Sequence, residues 1–217
     1  MDAIVVILVI LIVILIVYLI YYTTKPKQTL INLNVGNTPI LHKDIVNPPS
    51  VRFSYKTWVY VNSWNTLEKV ICSSSVGKES PLFKLYLDNT TPTLNCSFTT
   101  ADSTNVLTIS NNFPIQRWVY IIVSVDGQVV DCYLDGKLVK SQQLTSMPKV
   151  DGKYDINYGN FDAFLTLFSK TNTATDPQSA WNEYMSGNGF SSISSIPAYG
   201  FNVSVTKDKK EIAQYSY

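Results

Sequence analysis

From Ile4 to Tyr22 the chain reads IVVILVILIVILIVYLIYY, 19 residues without a charge, Gly, Pro, Ser or Asn. At about 1.5 Å per residue, a helix of this length just crosses a hydrocarbon layer of about 30 Å. The run is rich in Ile and Val, which would suit a strand in water. Lipid offers no partner for an unpaired backbone group, so there the same residues are forced into a helix. A cleavable signal peptide would need a basic n-region, a shorter apolar stretch and a small-residue cleavage site, whereas here MDA precedes the run and YYTTKPK closes it. The sequence therefore predicts a single transmembrane anchor over 1–24, its membrane-spanning ends at Ile4 and Tyr22. Tyr18, Tyr21 and Tyr22 fall where an interfacial aromatic belt belongs.

Lys25 and Lys27 lie just after the span, and no basic side chain precedes it, so the positive-inside rule puts the C-terminal domain on the cytosolic side. Three glycosylation triplets, beginning at Asn89, Asn95 and Asn202, point the other way. In a chain so rich in Asn, Ser and Thr, such triplets are expected by chance.

With 17 Lys+Arg against 16 Asp+Glu, the charge carries no footprint for nucleic acid. The three cysteines, Cys72, Cys96 and Cys132, have neither the pairing of a disulfide framework nor the spacing of a zinc site. They read as reduced, buried thiols, the alternative being one bridge, Cys72 to Cys96, plus a free thiol.

Residues 25–49 carry Pro26, Pro39, Pro48 and Pro49 around one short alternation, LINLNVG, and read as a linker holding one strand at most. Short runs rich in β-branched and aromatic residues then begin near 52, 69, 82, 93 and 105. Asn, Asp, Ser, Gly and Pro clusters separate them, at the spacing of a sandwich or barrel. In 118–125, WVYIIVSV is apolar at nearly every position, as a central strand covered on both faces would be. Asp126-Gly127 and Asp135-Gly136 supply positive φ for two tight turns, so 118–143 is an antiparallel three-strand meander. VVDCYL within it alternates Val130, Cys132 and Leu134 against Val129, Asp131 and Tyr133. Asp176 and Pro177 open a helix that Gly187 can close. Its face of Ala180, Trp181, Tyr184 and Met185 is expected on the sandwich edge. Two strand-like runs, 200–206 and 211–217, end the sequence and are expected to tie the C-terminus into a sheet.

The ordered set of an aromatic strand at 53–61, the Trp118-led strand ending in D-G, YLDGKLV at 133–139 and FDAFLTLFSKTNTATDPQSAWNEYMSGNG at 161–189 resembles the laminin-G-like concanavalin A-like jelly rolls. Ala163 stands where that family usually has Gly, and Phe168-Ser169 where Tyr-Asn is common. The resemblance implies an all-β, two-sheet antiparallel jelly-roll sandwich with one short helix, over about 50–217. Its enzymatic branch carries E-x-D-x-x-E, because retaining glycoside hydrolysis needs two carboxylates about 5 Å apart. No such triplet occurs here.

The acids Asp126, Asp131 and Asp135, and Asp151 with Asp155, read as turn formers. His42 reads as a solvated linker residue. No metal or other cofactor is expected, and the chain is not expected to be an enzyme. Two functions remain. One is a structural protein linking the lipid bilayer to neighbouring capsid-type proteins. In its features it resembles minor components of large DNA virus particles with an internal membrane, the domain facing the shell. The alternative is a membrane-displayed lectin-like module whose partners are glycans or a receptor.

Overall fold

The computed structural model describes residues 3–24, 30–77, 79–189, 202–207 and 210–216. These fall into two units, 1–30 and 31–217. The first holds α1 (Ala3–Thr24), a helix of 22 residues. Its described side chains, Leu8 and Ile10 to Leu19, are all exposed. That stretch alone is shorter than a bilayer, so among the described residues no helix is long and apolar enough to cross a membrane. The side chains at the predicted span ends, Ile4 and Tyr22, lie outside the described residues.

In the second unit the strands are β1 (Ile31–Asn32), β2 (Arg52–Val61), β3 (Lys69–Ser75), β4 (Phe83–Leu87), β5 (Leu94–Thr99), β6 (Thr104–Ser110), β7 (Trp118–Asp126), β8 (Val129–Leu134), β9 (Lys137–Gln143), β10 (Asp155–Tyr158) and β11 (Ala163–Thr171). They form a six-stranded sheet, β1-β11-β2-β7-β8-β9, and a five-stranded sheet, β10-β3-β4-β5-β6. All their pairings are antiparallel. The architecture is the two-sheet sandwich that the strand spacing predicts. A helix, α2 (Pro177–Met185), comes next, and then β12 (Asn202–Lys207) and β13 (Lys210–Ser216). Those last two strands pair with each other in a two-stranded sheet of their own.

The inner faces are fixed by period-2 alternation. Phe53, Tyr55, Val59 and Val61 of β2 and Val119, Ile121, Val123 and Val125 of β7 share a core with Phe83, Leu85 and Leu87 of β4 and Leu94 and Phe98 of β5. Tyr55 stacks on Phe83 across the sheets, with centroids 4.5 Å apart and planes 5° from parallel. Each such large side chain contributes about 1.5–3 kcal/mol by leaving water. Cys72, Cys96 and Cys132 are free and buried in this core, and burial pushes the Cys72 thiol up to about 12.

β1 adds only Ile31 and Asn32 to the edge of β11. Leu33, immediately after it, is completely buried. The segment read as a linker thus supplies a core residue, and the body starts before residue 50.

β7, β8 and β9 form the meander, but its turns differ. At the first, Asp126 pairs with Val129 as a strand residue, and only Gly127 has positive φ, +63°. At the second, both Asp135 (+48°) and Gly136 (+75°) do, as a two-residue type I′ turn requires. Asp131 and Asp155, expected in turns, lie within β8 and at the start of β10. His42 is not simply solvated: its Nδ1 lies 3.1 Å from Asp155 Oδ1, which also accepts from the His42 backbone N–H at 2.8 Å.

The second helix starts as its sequence predicts. Asp176 is the N-cap and accepts from Ser179 N–H at 2.9 Å, with Pro177 in the first turn. At the other end Gly187 has φ +79° and its N–H bonds the Tyr184 carbonyl at 3.0 Å. The helix lies against β9, the strand at the edge of the six-stranded sheet, and extends over that sheet's outer face. There Trp58, Tyr120, Ile122 and Tyr133 form a second apolar cluster with Ala180. Four large side chains on the outer face need a cover, and α2 supplies it. Only part of its expected face is buried: Ala180 is fully so, while Trp181 and Met185 stay exposed.

Candidate functional site

β2 places Ser54, Lys56 and Trp58 on the outer face of the sheet, and β7 places Ser124, Ile122 and Tyr120 beside them in register. The segment leading into α2 is clamped onto this face. Thr175 N–H donates to Ser124 Oγ at 2.8 Å, Thr175 Oγ1 to Ser54 Oγ at 2.9 Å, and Tyr133 OH to the Thr175 carbonyl at 3.2 Å. These bonds fix where α2 begins and so where Glu183 arrives.

Glu183 Oε1 accepts from Lys56 Nζ at 2.6 Å and its Oε2 from Tyr120 OH at 2.8 Å. The Lys56 side chain is 11% exposed and that of Glu183 36%. The pair therefore has low-dielectric protein on one side and open space on the other. Burial, reinforced by the bond to the Glu183 carboxylate, pushes the Tyr120 phenol well up, so it stays protonated and donating. Trp58 stacks on Tyr120 at 5.0 Å and on Tyr184 at 5.6 Å. Both Trp58 and Tyr120 are 6% exposed, so they make a rigid floor rather than an open stacking face.

The other wall comes from a break in β11. Thr166 pairs with Trp58 and Ser169 with Lys56, three steps on one strand against two on the other, which is one extra residue. The extra residue is taken up at Leu167, which has φ +52°. For a branched side chain this conformation costs on the order of 1–3 kcal/mol, and such strain gathers at functional positions. Leu167 packs against the outer cluster. The Phe168 ring turns inward to meet Tyr158 edge-on at 5.4 Å.

Lys56, Trp58, Tyr120, Leu167, Phe168, Ser169, Thr171, Glu183 and Ser186 line a shallow, open cleft of about 360 Å³, a volume within the range of ligand sites, about 300–1,000 Å³. A second cavity of about 260 Å³ shares Phe168 and Ser169 with it and is lined otherwise by Ile40, Asp44, Ile45, Val46, Ile156 and Lys170. There the Lys170 ammonium is held by the Asn47 carbonyl at 3.2 Å and by Asn172. Burial draws its pKa below the ordinary value.

Chemically the first cleft offers a fixed donor, a fixed carboxylate and three hydroxyls beside the apolar Leu167. Among the described residues one carboxylate, that of Glu183, lines it. Among the described residues no group of three His, Cys, Asp or Glu side chains could hold a metal ion.

The turn residues lie at opposite ends of β8. The Asp126 carboxylate takes Arg52 at 2.7 Å. Asp135 accepts from the Tyr120 backbone N–H at 2.9 Å and pairs with Arg117. Gly136 lies under α2, where a Cβ would stand 3.0 Å from Tyr184 Cβ and 3.1 Å from the Trp181 backbone. Only the second turn thus lies against α2. Lys56, Glu183 and Leu167 were absent from the sequence expectations. The one local signal is Lys56 itself, which alternation places on the same strand face as Ser54 and Trp58.

Comparison with solved structures gives the botulinum neurotoxin serotype D binding domain at TM-score 0.52 and 14% identity, over 73% of this chain and 40% of that one. The binding domain of botulinum neurotoxin DC in complex with SialylT gives TM-score 0.50 and 13% identity, over 64% of this chain and 37% of that one. The chain spans well under half the length of these two structures, and at such identity they share its fold alone. A comparison with curated proteins finds none that matches. The laminin-G-type model described as the Concanavalin A-like lectin/glucanases superfamily matches residues 34–191. The match takes in every strand of the two sheets except β1, together with α2, and the chain belongs to that superfamily.

Proposed function

We propose that this chain is a membrane-tethered, non-catalytic carbohydrate-recognition module, with the cleft beneath α2 as its binding site. The observation that carries the reading is the Lys56–Glu183–Tyr120 network set in a 360 Å³ cleft beside Ser169, Thr171 and Ser186. Fixed polar atoms that can donate to and accept from vicinal hydroxyls, next to the apolar Leu167, suit the mixed surface of a pyranose. A lectin-like fold supports the same reading.

The tether is the run Ile4 to Tyr22, whose 19 apolar residues match the thickness of a bilayer. Glycan recognition requires the sandwich on the non-cytosolic side, against the bias of Lys25 and Lys27. That bias rests on two residues. Of the glycosylation triplets, Asn89 stands exposed in the turn after β4, while Asn95 is buried within β5 and its Oδ1 accepts from Thr108. The membrane-to-shell linker in a virus particle keeps the same tether and gives the outer surface of the sandwich to a protein. A cleft walled by hydroxyls and a bridged carboxylate favours a sugar over a protein side chain.

Screening the full chain, in detergent micelles, on a glycan array tests the reading. Binding to a defined set of glycans, lost in Lys56→Ala, is expected. No binding to any glycan removes the proposal.

A further inference from the structure

We infer that the cleft selects uncharged saccharides and rejects sialylated or otherwise anionic ones, an inference that rests on the glycan reading of this same cleft. It arises from where the charges are. Among the described residues lining the cleft, the charged side chains are Lys56 and Glu183, and they neutralise each other at 2.6 Å. Tyr120 donates to the second oxygen of the carboxylate, so Glu183 is held in place from two sides.

An anionic sugar would have to share the Lys56 ammonium with Glu183. That would leave a carboxylate facing another carboxylate at a site only partly open to water, where like charges repel strongly. Among the described residues no other cation lines the cleft to compensate. Arg117 is engaged by Asp135. Lys170 belongs to the adjoining cavity, where carbonyls of the 46–47 segment hold it. A neutral hydroxyl group meets no such conflict, because it can accept from Lys56 or donate to Glu183 without separating them.

Glu183→Gln is the informative variant. The amide keeps the shape, accepts from Lys56 and removes the negative charge, so Lys56 becomes available to an anion. The test uses the full chain in detergent micelles and one probe, a biantennary N-glycan in its sialylated and enzymatically desialylated forms. The native protein is expected to prefer the desialylated form by about tenfold or more, and Glu183→Gln to narrow that ratio by about tenfold. Equal or stronger binding of the sialylated form by the native protein overturns the inference and leaves the glycan reading standing. An unchanged ratio in a folded Glu183→Gln also overturns it, because selection would then not come from this charge. Binding of neither form overturns the inference, and the glycan array then decides the glycan reading separately. Should the variant fail to fold, the native ratio alone decides.

Discussion

Lys56 and Glu183, 127 positions apart in the chain, meet at 2.6 Å where α2 covers the outer face of the six-stranded sheet. The contact joins a strand in the first third of the sandwich to a helix near its end. It helps to hold α2 and balances the charge of the cleft. Removing either partner strands the other. Lys56→Ala and Glu183→Ala should each lower stability by about 1–2 kcal/mol, below the cost of breaking a fully buried pair because Glu183 is partly solvated. Denaturant titration of both single variants and the double variant measures this. The pair is coupled if the double variant loses less than the sum of the singles.

The seat of α2 also depends on Gly136. Replacing it with Ala meets an unfavourable φ of +75° and contacts of 3.0–3.1 Å with Tyr184 and Trp181. The cost should exceed about 1 kcal/mol and extend to glycan binding. At Gly127, φ is +63° but the nearest atom to an added Cβ is Met147 Cε at 3.5 Å, so Ala there should cost less and leave binding intact. Comparing melting curves and binding of the two variants separates strain in a turn from displacement of the helix.

Acid should loosen the molecule through the carboxylates that hydrogen bonds hold low, Asp162 and Asp155 together with Asp88 and Asp176. Bonds from Ser63 Oγ at 2.5 Å and from Asn62 and Asn34 hold Asp162 below the ordinary carboxylate range, and the bonds from His42 do the same for Asp155. A carboxyl depressed on folding contributes stability that is fully present above its unfolded value, about 3.9. It is lost as pH falls through the folded value. Stability measured between about pH 6 and 3 should therefore fall at the acid end, and Asp162→Asn should flatten that fall.

The three cysteines should be silent in the folded protein. All are buried and unpaired, and Cys72 is held protonated by its surroundings. A thiol reagent should find none in the native state and three after denaturation. Rapid labelling of one under native conditions would show a core looser than this.

Some of the fold was legible in the sequence, for local reasons. WVYIIVSV is apolar at both parities, and it lies with one face in the core and the other under α2. Asp176-Pro177 carries its capping chemistry within four residues. The site was not legible, because each of its parts depends on a distant partner. RFSYKTWVYV contains a lysine that reads as solvent-facing until the sheet order brings Glu183 over it. The bulge at Leu167 contains no glycine to announce it. His42 gains its role only from Asp155, 113 positions away. The expected edge position of the helix is met at β9, but its cover for Trp58 and Tyr120 exists only once β2 and β7 pair.

Display outside the cytosol gives a direct chemical mark. In eukaryotic cells Asn89, exposed in its turn, should carry a glycan and the buried Asn95 should not. Mass spectrometry of the purified chain reads this. An unmodified Asn89, together with a sandwich protected from protease added outside intact cells, would place the domain on the cytosolic side.

Whether a sugar occupies the cleft beneath α2 is read residue by residue in a chemical-shift titration of the isotope-labelled protein with a neutral oligosaccharide that it binds on the array. The shifted amides are expected to gather at Lys56, Leu167, Ser169, Thr171, Glu183 and Ser186. Shifts gathered on the five-stranded sheet or in the turn after β4, with this cleft unmoved, would contradict glycan recognition at this site.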